Sequence, residues 1–288
     1  VIRKALIDMY AKCGALKAAH NVFDEFPIHD IMLWNALVAG YMENGCNHQA
    51  IECFIHMEDE GVSPDAVTYI CILKACGSVG SLEIGEEIDA KVRKQGLLKK
   101  DVVLGTALVD MYSKCGALKK AGEVFEYLPM QNVVSWSALI SGYAQLGQIN
   151  VVWNLYRRMR REGVAPNFVT FTVMLNACSH AALVEIGKEL FHDMIVLYGL
   201  TPTVEHYTCM VDLFGRAGDF GMAKRFLLDD VSMCLAFLGA CQKWMKVELG
   251  RFAFEKIIQL DDRCAAAYVG MQNIYTAAAM DLKTNRME

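Results

Sequence analysis

The chain has 288 residues, of which 54% are apolar and 21% are charged, and its net charge is −5. No apolar run approaches the roughly 18 residues of a membrane-spanning helix, and the acidic balance argues against a partner held by phosphate attraction over the whole chain. Eleven cysteines without a Cys-x-x-Cys pair fit neither a disulfide framework nor a zinc site, so we expect most of them to be small buried side chains.

The sequence repeats itself at a spacing of 102 residues. Residues 5–10 (Ala-Leu-Ile-Asp-Met-Tyr) align with residues 107–112 (Ala-Leu-Val-Asp-Met-Tyr), and residues 12–17 align with residues 114–119. A third copy contains Met-Val-Asp-Leu-Phe at residues 210–214. Such a period indicates an array in which each repeat buries its core against its neighbours.

Prolines mark the ends of shorter repeats within this period. Pro27 and Pro129 are 102 residues apart, as are Pro64 and Pro166, and Pro202 ends a further repeat. Dividing the chain just after these turns gives repeats at residues 1–30, 31–65, 66–101, 102–132, 133–167, 168–203 and 204–230, followed by a terminal region at 231–288. The complete repeats therefore cycle through lengths of 35, 36 and 31 residues.

Each repeat is predicted to form two helices. In repeat 31–65, apolar residues at helical spacing predict a buried stripe, Asn44-Gly45 ends the first helix, and a second apolar stripe follows. The first stripe, its counterpart in repeat 133–167 and the second stripe comprise, in that order, Trp34, Leu37, Val38 and Tyr41; Trp136, Leu139, Ile140 and Tyr143; and Ala50, Phe54 and Met57. Because two helices cannot enclose a core alone, we predict an all-α fold, an α-solenoid superhelix of stacked helical hairpins.

Two segments of repeat 133–167 resemble the pentatricopeptide repeat family. They are Val-Val-Ser-Trp-Ser-Ala-Leu-Ile-Ser-Gly-Tyr at 133–143 and Met-Arg-Arg-Glu-Gly-Val-Ala-Pro-Asn at 159–167, and the chain lacks the Trp-x-x-Leu-Gly-x-x-Tyr signature of tetratricopeptide repeats. The three repeat lengths resemble the plant PLS subfamily. On this resemblance, 31–65 and 133–167 are P-type repeats, and 66–101 and 168–203, which contain Leu-Lys-Ala-Cys and Leu-Asn-Ala-Cys, are long-type repeats.

The remaining segments resemble the short-type repeats and the C-terminal extension of that subfamily. Residues 1–30, which lack the first residue, and 102–132 are similar to short-type repeats, and 204–230 is similar to a shortened closing repeat. Residues 231–288 resemble a degenerate, truncated E-type extension, through Ala-Phe-Leu-Gly-Ala-Cys at 236–241 and Val-Glu-Leu-Gly at 247–250.

The resemblance implies that the array binds single-stranded RNA, one base to a repeat. In the family, the fifth residue of a repeat contacts a base edge and the last residue supports it. This implies base recognition by Asn35 with Asp65 for a pyrimidine, and by Thr106 with Asn132 and Ser137 with Asn167 for adenine. Weaker or unassigned contacts are implied at Ile70 with Asp101, Thr172 with Thr203, Lys4 with Asp30, and Thr208. The implied site is pyrimidine, any base, adenine, adenine, read 5′ to 3′.

Further positions are implied to contact the RNA from the same helices. We expect residues two, five, nine and thirteen of a repeat to share a stripe opposite the buried one. The second residues are implied to pack between bases: Met32, Val67, Val103, Val134 and Val169. The thirteenth residues of the short repeats are cations implied to face the RNA backbone: Lys12, Lys114 and Arg216.

No catalytic centre is expected. The only His-x-Glu, formed by His56-Met57-Glu58, lacks the Pro-Cys-x-x-Cys that zinc deaminases require. No metal, cofactor, membrane or small-molecule substrate is expected, and the possible partners besides RNA are a trans-acting deaminase or other organellar editing factors.

The function predicted from the sequence is an RNA-binding adaptor. The resemblance implies that it selects a site on an organellar transcript, in a mitochondrion or chloroplast, for C-to-U editing by a deaminase supplied in trans. We expect any targeting segment to lie outside this sequence, which begins at Val1 without a basic or apolar leader. Three alternatives stay open: a splicing or stabilisation factor, a protein-binding scaffold like a tetratricopeptide array, and an inactive fragment.

Overall fold

A computed structural model describes residues 2–25 and 29–284, with side chains at residues 3–25 and 29–278. The described residues form seventeen α-helices and one short 3-10 helix, without a strand, which confirms the predicted all-α class. They divide into an N-terminal lobe, Val1–Leu146, and a C-terminal lobe, Gly147–Glu288. The predicted turn at Pro27 and the chain ends at residues 1 and 285–288 lie outside the described residues.

The N-terminal lobe is a stack of helical hairpins. Its first helices pack side by side in the order α1, α3, α5, α7, α9, and each second helix packs against its own first helix and the next one. A 3-10 helix, Leu97–Lys99, links α6 to α7. The helices are α1 (Ile2–Lys12), α2 (Leu16–Asp24), α3 (Ile31–Glu43), α4 (Asn47–Asp59), α5 (Ala66–Val79), α6 (Leu82–Lys94), α7 (Val102–Lys114), α8 (Leu118–Tyr127) and α9 (Val133–Gln145).

The C-terminal lobe is built in the same way. Helices α11, α13, α15 and α17 pack in sequence, with α12 against α11 and α13, and α16 against α15 and α17. The second helix of repeat 204–230 is reduced to seven residues. The helices are α10 (Ile149–Arg161), α11 (Phe168–His180), α12 (Val184–Val196), α13 (Val204–Ala217), α14 (Phe220–Phe226), α15 (Val231–Lys243), α16 (Val247–Leu260) and α17 (Ala265–Thr284).

The last residue of a repeat begins the first helix of the next one. The Asp30 side chain accepts a hydrogen bond from the Leu33 backbone N–H at 2.9 Å, and Asp65, Asp101, Asn132 and Asn167 occupy the same N-cap position. An acceptor at this position satisfies backbone N–H groups that have no partner within the helix. These residues therefore have a structural role whether or not they also contact RNA.

Close packing of neighbouring first helices depends on small residues. A Cβ atom at Gly40 would lie 2.7 Å from the Cβ of Ala11, and one at Gly142 would lie 2.7 Å from the Cβ of Ser113. Of the aromatic residues in the predicted stripes, Trp34 and Trp136 are buried, whereas Tyr41 and Tyr143 are half-buried. Since these contacts join consecutive repeats, the hairpins of this lobe depend on one another for their core.

Among the described residues, no helix is long and apolar enough to span a membrane, and no group of three or more His, Cys, Asp or Glu residues could hold a metal ion.

The cysteines are less buried than the sequence predicts. Cys13 is exposed because it follows the end of α1, and only five of the eleven cysteines are buried, which corrects our expectation for most of them: Cys53, Cys76, Cys178, Cys234 and Cys241.

Candidate functional site

Apolar side chains at the second position of the repeats are exposed to solvent. In the N-terminal lobe, Met32, Val67, Val103 and Val134 have exposed fractions of 54%, 55%, 62% and 56%, each in the first turn of a first helix. In the C-terminal lobe, Val169 is 58% exposed. A single exposed valine is ordinary, but recurrence at one position of successive packed helices leaves a row of apolar groups open to a ligand.

The fifth residues are more buried than the sequence predicts. Thr106 and Ser137 are only 7% and 4% exposed, so our expectation that both stand on an open stripe is wrong. Thr106 lies in α7, which packs between the first helices α5 and α9, and Ser137 lies in α9, which packs beside α7. A small side chain in such a helix is covered by its neighbours. The other fifth residues are half-buried: Lys4, Asn35, Ile70, Thr172 and Thr208.

Asn35 and Asp65 are joined in the N-terminal lobe. The Asn35 Nδ2 group donates a hydrogen bond to the Asp65 Oδ1 atom at 3.2 Å, which links the fifth and last residues of repeat 31–65. Partial burial opposes ionisation of Asp65, but hydrogen bonds from the Thr68 backbone and the Asn35 side chain outweigh it and lower the pKa of Asp65. The carboxylate is therefore charged at neutral pH and holds one edge of the Asn35 amide.

The other predicted pairs are not joined in this way. No hydrogen bond links Thr106 to Asn132, both of which lie in the described part of the chain, because the Thr106 hydroxyl donates to the Val102 carbonyl at 2.8 Å. The Asp101 carboxylate accepts from the backbone N–H groups at the start of α7, and Ile70 has no polar group to offer it. Ser137 and Asn167 belong to different lobes, and their pairing stays a prediction.

In the C-terminal lobe, a histidine lies between Thr172 and Thr203. The His206 Nε2 atom is 3.2 Å from the Thr172 hydroxyl oxygen, and its Nδ1 atom is 2.8 Å from the Thr203 hydroxyl oxygen. His206 is only 1% exposed. Thr172 and Thr203, the two residues predicted to recognise a base in repeat 168–203, are thus connected through a third side chain. Thr208 has no such partner among the described residues, and its hydroxyl donates to the Val204 carbonyl.

Two of the three predicted backbone cations are already paired. Lys114 Nζ lies 2.7 Å from Asp110 Oδ2, and Arg216 Nε lies 2.7 Å from Asp212 Oδ2, each one helical turn away. Lys12 is exposed at the end of α1. Since the pairs are partly exposed, water and salt weaken them, and a phosphate can compete for the cation. The implied role of Lys114 and Arg216 at the RNA backbone therefore stays a prediction, in which a phosphate replaces or joins the carboxylate.

Thr68 and His206 are missing from the residues that the sequence predicts for the site. Each is the third residue of a first helix and contacts the fifth residue of the preceding repeat. A signal for them exists in the sequence, because a polar residue three positions after an N-cap can return a hydrogen bond to it. That signal predicts the cap, but it does not predict the contact with the preceding repeat.

Family comparisons agree with this architecture. Two models match the chain: one described as the PPR repeat family, over residues 29–78 and 131–180, and one described as the PPR repeat, over 1–30, 106–133, 169–197 and 205–229. Between them they match most of the chain, in both lobes.

Relatives from Arabidopsis thaliana match nearly the whole chain. A pentatricopeptide repeat-containing protein is 41% identical over 95% of this chain and 38% of its own length. A putative mitochondrial one and a chloroplastic one are each 36% identical over 96% of this chain, and cover 45% and 38% of their own lengths. The chain thus spans less than half the length of these relatives.

Solved structures show the same fold. The pentatricopeptide repeat protein PPR10 in complex with an 18-nt psaJ RNA element superposes with a TM-score of 0.75 at 18% identity, over 96% of this chain and 42% of that chain. A crystal structure of PPR10 from maize gives a TM-score of 0.51 at 16% identity, over 94% of this chain and 41% of that chain. At these identities the likeness shows the fold alone. Repeat models, relatives and fold together establish that the chain belongs to the pentatricopeptide repeat family.

Proposed function

We propose that this chain binds single-stranded RNA through the first helices of its repeats, without catalytic activity of its own. The observation that carries the proposal is the row of exposed side chains at Met32, Val67, Val103 and Val134, beside the half-buried polar group of Asn35. Apolar groups packing on base faces and a polar group at a base edge are what single-stranded recognition requires. A relative of the same fold, PPR10, has been solved with an RNA element.

The base preference proposed for repeat 31–65 follows from the Asn35 amide. One Nδ2 proton is donated to Asp65, which leaves one N–H donor and the carbonyl oxygen for a base. A neighbouring donor and acceptor complement the edge of a pyrimidine or of adenine, and the resemblance to the family favours the pyrimidine. We propose the full site as pyrimidine, any base, adenine, adenine, with Thr106 and Ser137 admitting purines because their side chains are small.

The electrostatics supports an interface that depends on base contacts more than on phosphate attraction. The net charge is −5, and Lys114 and Arg216 share their charge with Asp110 and Asp212. Each phosphate neutralised by a cation steepens the salt dependence of binding, so a site in which Lys114 and Arg216 stay with their carboxylates implies a shallow dependence.

Binding of short RNAs at fixed salt tests the proposal. The matched strand should bind more tightly than strands in which both adenines, or the pyrimidine, are changed. Equal affinity for all strands would contradict specific recognition, and no binding to any strand would contradict the function. The protein-binding scaffold is the alternative that the acidic net charge and the paired cations favour. It would be supported if the chain bound no RNA and captured a protein partner from an extract with or without ribonuclease treatment.

We further propose that the chain acts in a mitochondrion or chloroplast, as the names of its relatives indicate for them. The cycle of three repeat lengths supports assignment to the PLS subfamily, and helices α15 to α17 occupy the region that resembles an E-type extension. On that assignment, the chain selects a site for C-to-U editing by a deaminase supplied in trans. Sequencing of organellar transcripts from a null mutant tests this: lost editing at one site supports it, whereas lost splicing or transcript abundance with normal editing contradicts it.

A further inference from the structure

We propose that Thr68 and His206 are positioning residues for base recognition, which set the hydrogen-bonding groups that Asn35 and Thr172 offer to RNA. The inference rests on the proposed RNA binding and adds a third residue to the fifth and last residues of a repeat. This third residue belongs to the following repeat. It touches no base, because Thr68 and His206 are each only 1% exposed, and it acts through the side chain that it holds.

Thr68 holds the second edge of the Asn35 amide. The Thr68 hydroxyl oxygen lies 2.6 Å from Asn35 Oδ1 and 3.0 Å from Asp65 Oδ1, and a hydroxyl has only one proton to donate. The shorter distance favours donation to Asn35, and the hydroxyl oxygen also accepts from the Asp65 backbone N–H at 3.2 Å. With Nδ2 bound to Asp65 and Oδ1 bound to Thr68, the plane of the amide is fixed at both ends.

This arrangement decides what Asn35 presents. One N–H and one lone pair of the carbonyl oxygen remain unused, and both point away from the two anchors. With Thr68 absent, Asp65 alone would hold the amide, and the side chain could rotate about that single bond. A side chain that recognises a base discriminates less well when it is not held in place, because a different rotamer can form hydrogen bonds with each wrong base.

His206 performs the same task in the C-terminal lobe with different chemistry. The Thr203 backbone N–H donates to Nδ1 at 3.2 Å, so Nδ1 is an acceptor and the ring proton of the neutral imidazole is on Nε2. The Nε2 proton lies between two acceptors, the Phe168 carbonyl oxygen at 3.0 Å and the Thr172 hydroxyl oxygen at 3.2 Å, while the Thr172 hydroxyl donates its own proton to the Phe168 carbonyl at 3.0 Å. Thr172 therefore offers a base only an oxygen lone pair. A base with an exocyclic amino group complements it.

The contact is not an automatic result of helix capping. Ser135 occupies the same position after Asn132 and forms the same reciprocal cap, with its backbone N–H donating to Asn132 Oδ1 at 2.9 Å. Its hydroxyl donates to the Asn132 carbonyl at 2.9 Å and, within the described part of the chain, makes no hydrogen bond to Thr106. Ser135 is also fully buried, so it supplies a matched control: the same cap and burial without the link to a reading residue.

The test compares base discrimination, not affinity alone. Four short RNAs that differ only at the pyrimidine position are titrated against the 288-residue chain and the variants Thr68→Val, Thr68→Ser and Ser135→Ala. For Thr68→Val we expect the preference for pyrimidines over purines to fall about fivefold, the equivalent of one hydrogen bond. Thr68→Ser retains the hydroxyl and should retain the preference. Ser135→Ala loses a cap and should leave discrimination at this base unchanged.

The outcomes separate the inference from the function. If the unmodified chain binds none of the RNAs, the proposed function fails and the inference falls with it. If it discriminates and Thr68→Val discriminates equally well, the inference alone is wrong. An equal loss in Ser135→Ala would reduce Thr68 to a capping residue. Should Thr68→Val not fold, as a thermal melt would reveal, Thr68→Ala provides the same comparison.

A second arm examines the C-terminal lobe. Four RNAs that differ at the base facing repeat 168–203, the one 3′ to the second adenine, are titrated against the chain and His206→Thr. We expect the unmodified chain to favour adenine, cytosine and guanine over uracil, which has no exocyclic amino group, and His206→Thr to lose that preference because no Nε2 proton then holds the Thr172 hydroxyl oxygen. An unchanged profile would contradict the role of His206.

Discussion

Val103→Ala distinguishes a ligand-facing valine from a core valine. Val103 is 62% exposed, whereas Val109, six residues further along α7, is 0% exposed. Removing two methylene equivalents is worth about 1.6 kcal/mol when they are fully buried. Because less than two fifths of Val103 is buried, its truncation should lower the free energy of unfolding by only about 0.6 kcal/mol. Val109→Ala should cost about 2–3 kcal/mol, since it also leaves a cavity.

RNA binding should show the opposite order. Packing of aromatic side chains on a base contributes about 1–3 kcal/mol, and an aliphatic one contributes less, so Val103→Ala should weaken binding about two- to fivefold. Folded Val109→Ala should bind normally. Urea unfolding followed by circular dichroism measures the first effect, and fluorescence anisotropy of a labelled RNA at fixed salt measures the second. Equal destabilisation by Val103→Ala and Val109→Ala, or an unchanged RNA affinity of Val103→Ala, would contradict the assignment of Val103 to the RNA-binding surface.

Three further changes have defined outcomes. Asp89→Asn should lower the free energy of unfolding by about 1.5–3 kcal/mol, because the buried Tyr112 hydroxyl donates to Asp89 Oδ2 at 2.9 Å. In a double-mutant cycle measured by urea unfolding, the same substitution should cost less when Tyr112→Phe is already present. Asp110→Asn should release Lys114, tighten RNA binding at low salt and steepen the slope of log K against log salt by about one; an unchanged slope would show that Lys114 does not meet a phosphate. Burial raises the pKa of Cys178 from 9.0 to about 12, so between these pH values the thiol ionises in the unfolded chain and stays neutral in the folded one. The contribution of this thiol to the free energy of unfolding should be constant below pH 9 and fall between pH 9 and 12. If the stability of Cys178→Ala falls as steeply over that range, other groups cause the loss.

The sequence alone determines the hairpins, because their signals are local. Apolar residues at helical spacing predict the buried faces of Trp34 and Trp136, and both are buried in the structure. Asn44-Gly45 predicts the end of a first helix, and α3 ends at Glu43 with Gly45 in the left-handed region at a φ of 74°. The exposure of Val103 is also predicted, since it depends on which side of one helix a residue occupies.

Tertiary structure decides how the polar residues are used. Thr106 is covered because first helices of neighbouring repeats pack on both sides of α7, a feature of the stack that helical spacing within one repeat does not encode. Asn35 and Thr68 are 33 residues apart in the sequence, and only the stacking of two hairpins brings the Thr68 hydroxyl to the Asn35 amide. The side of a helix on which a residue lies can be predicted from residues three and four positions away, but the groups that hold a base-recognition side chain come from the next repeat. Their positions therefore depend on the packing between repeats.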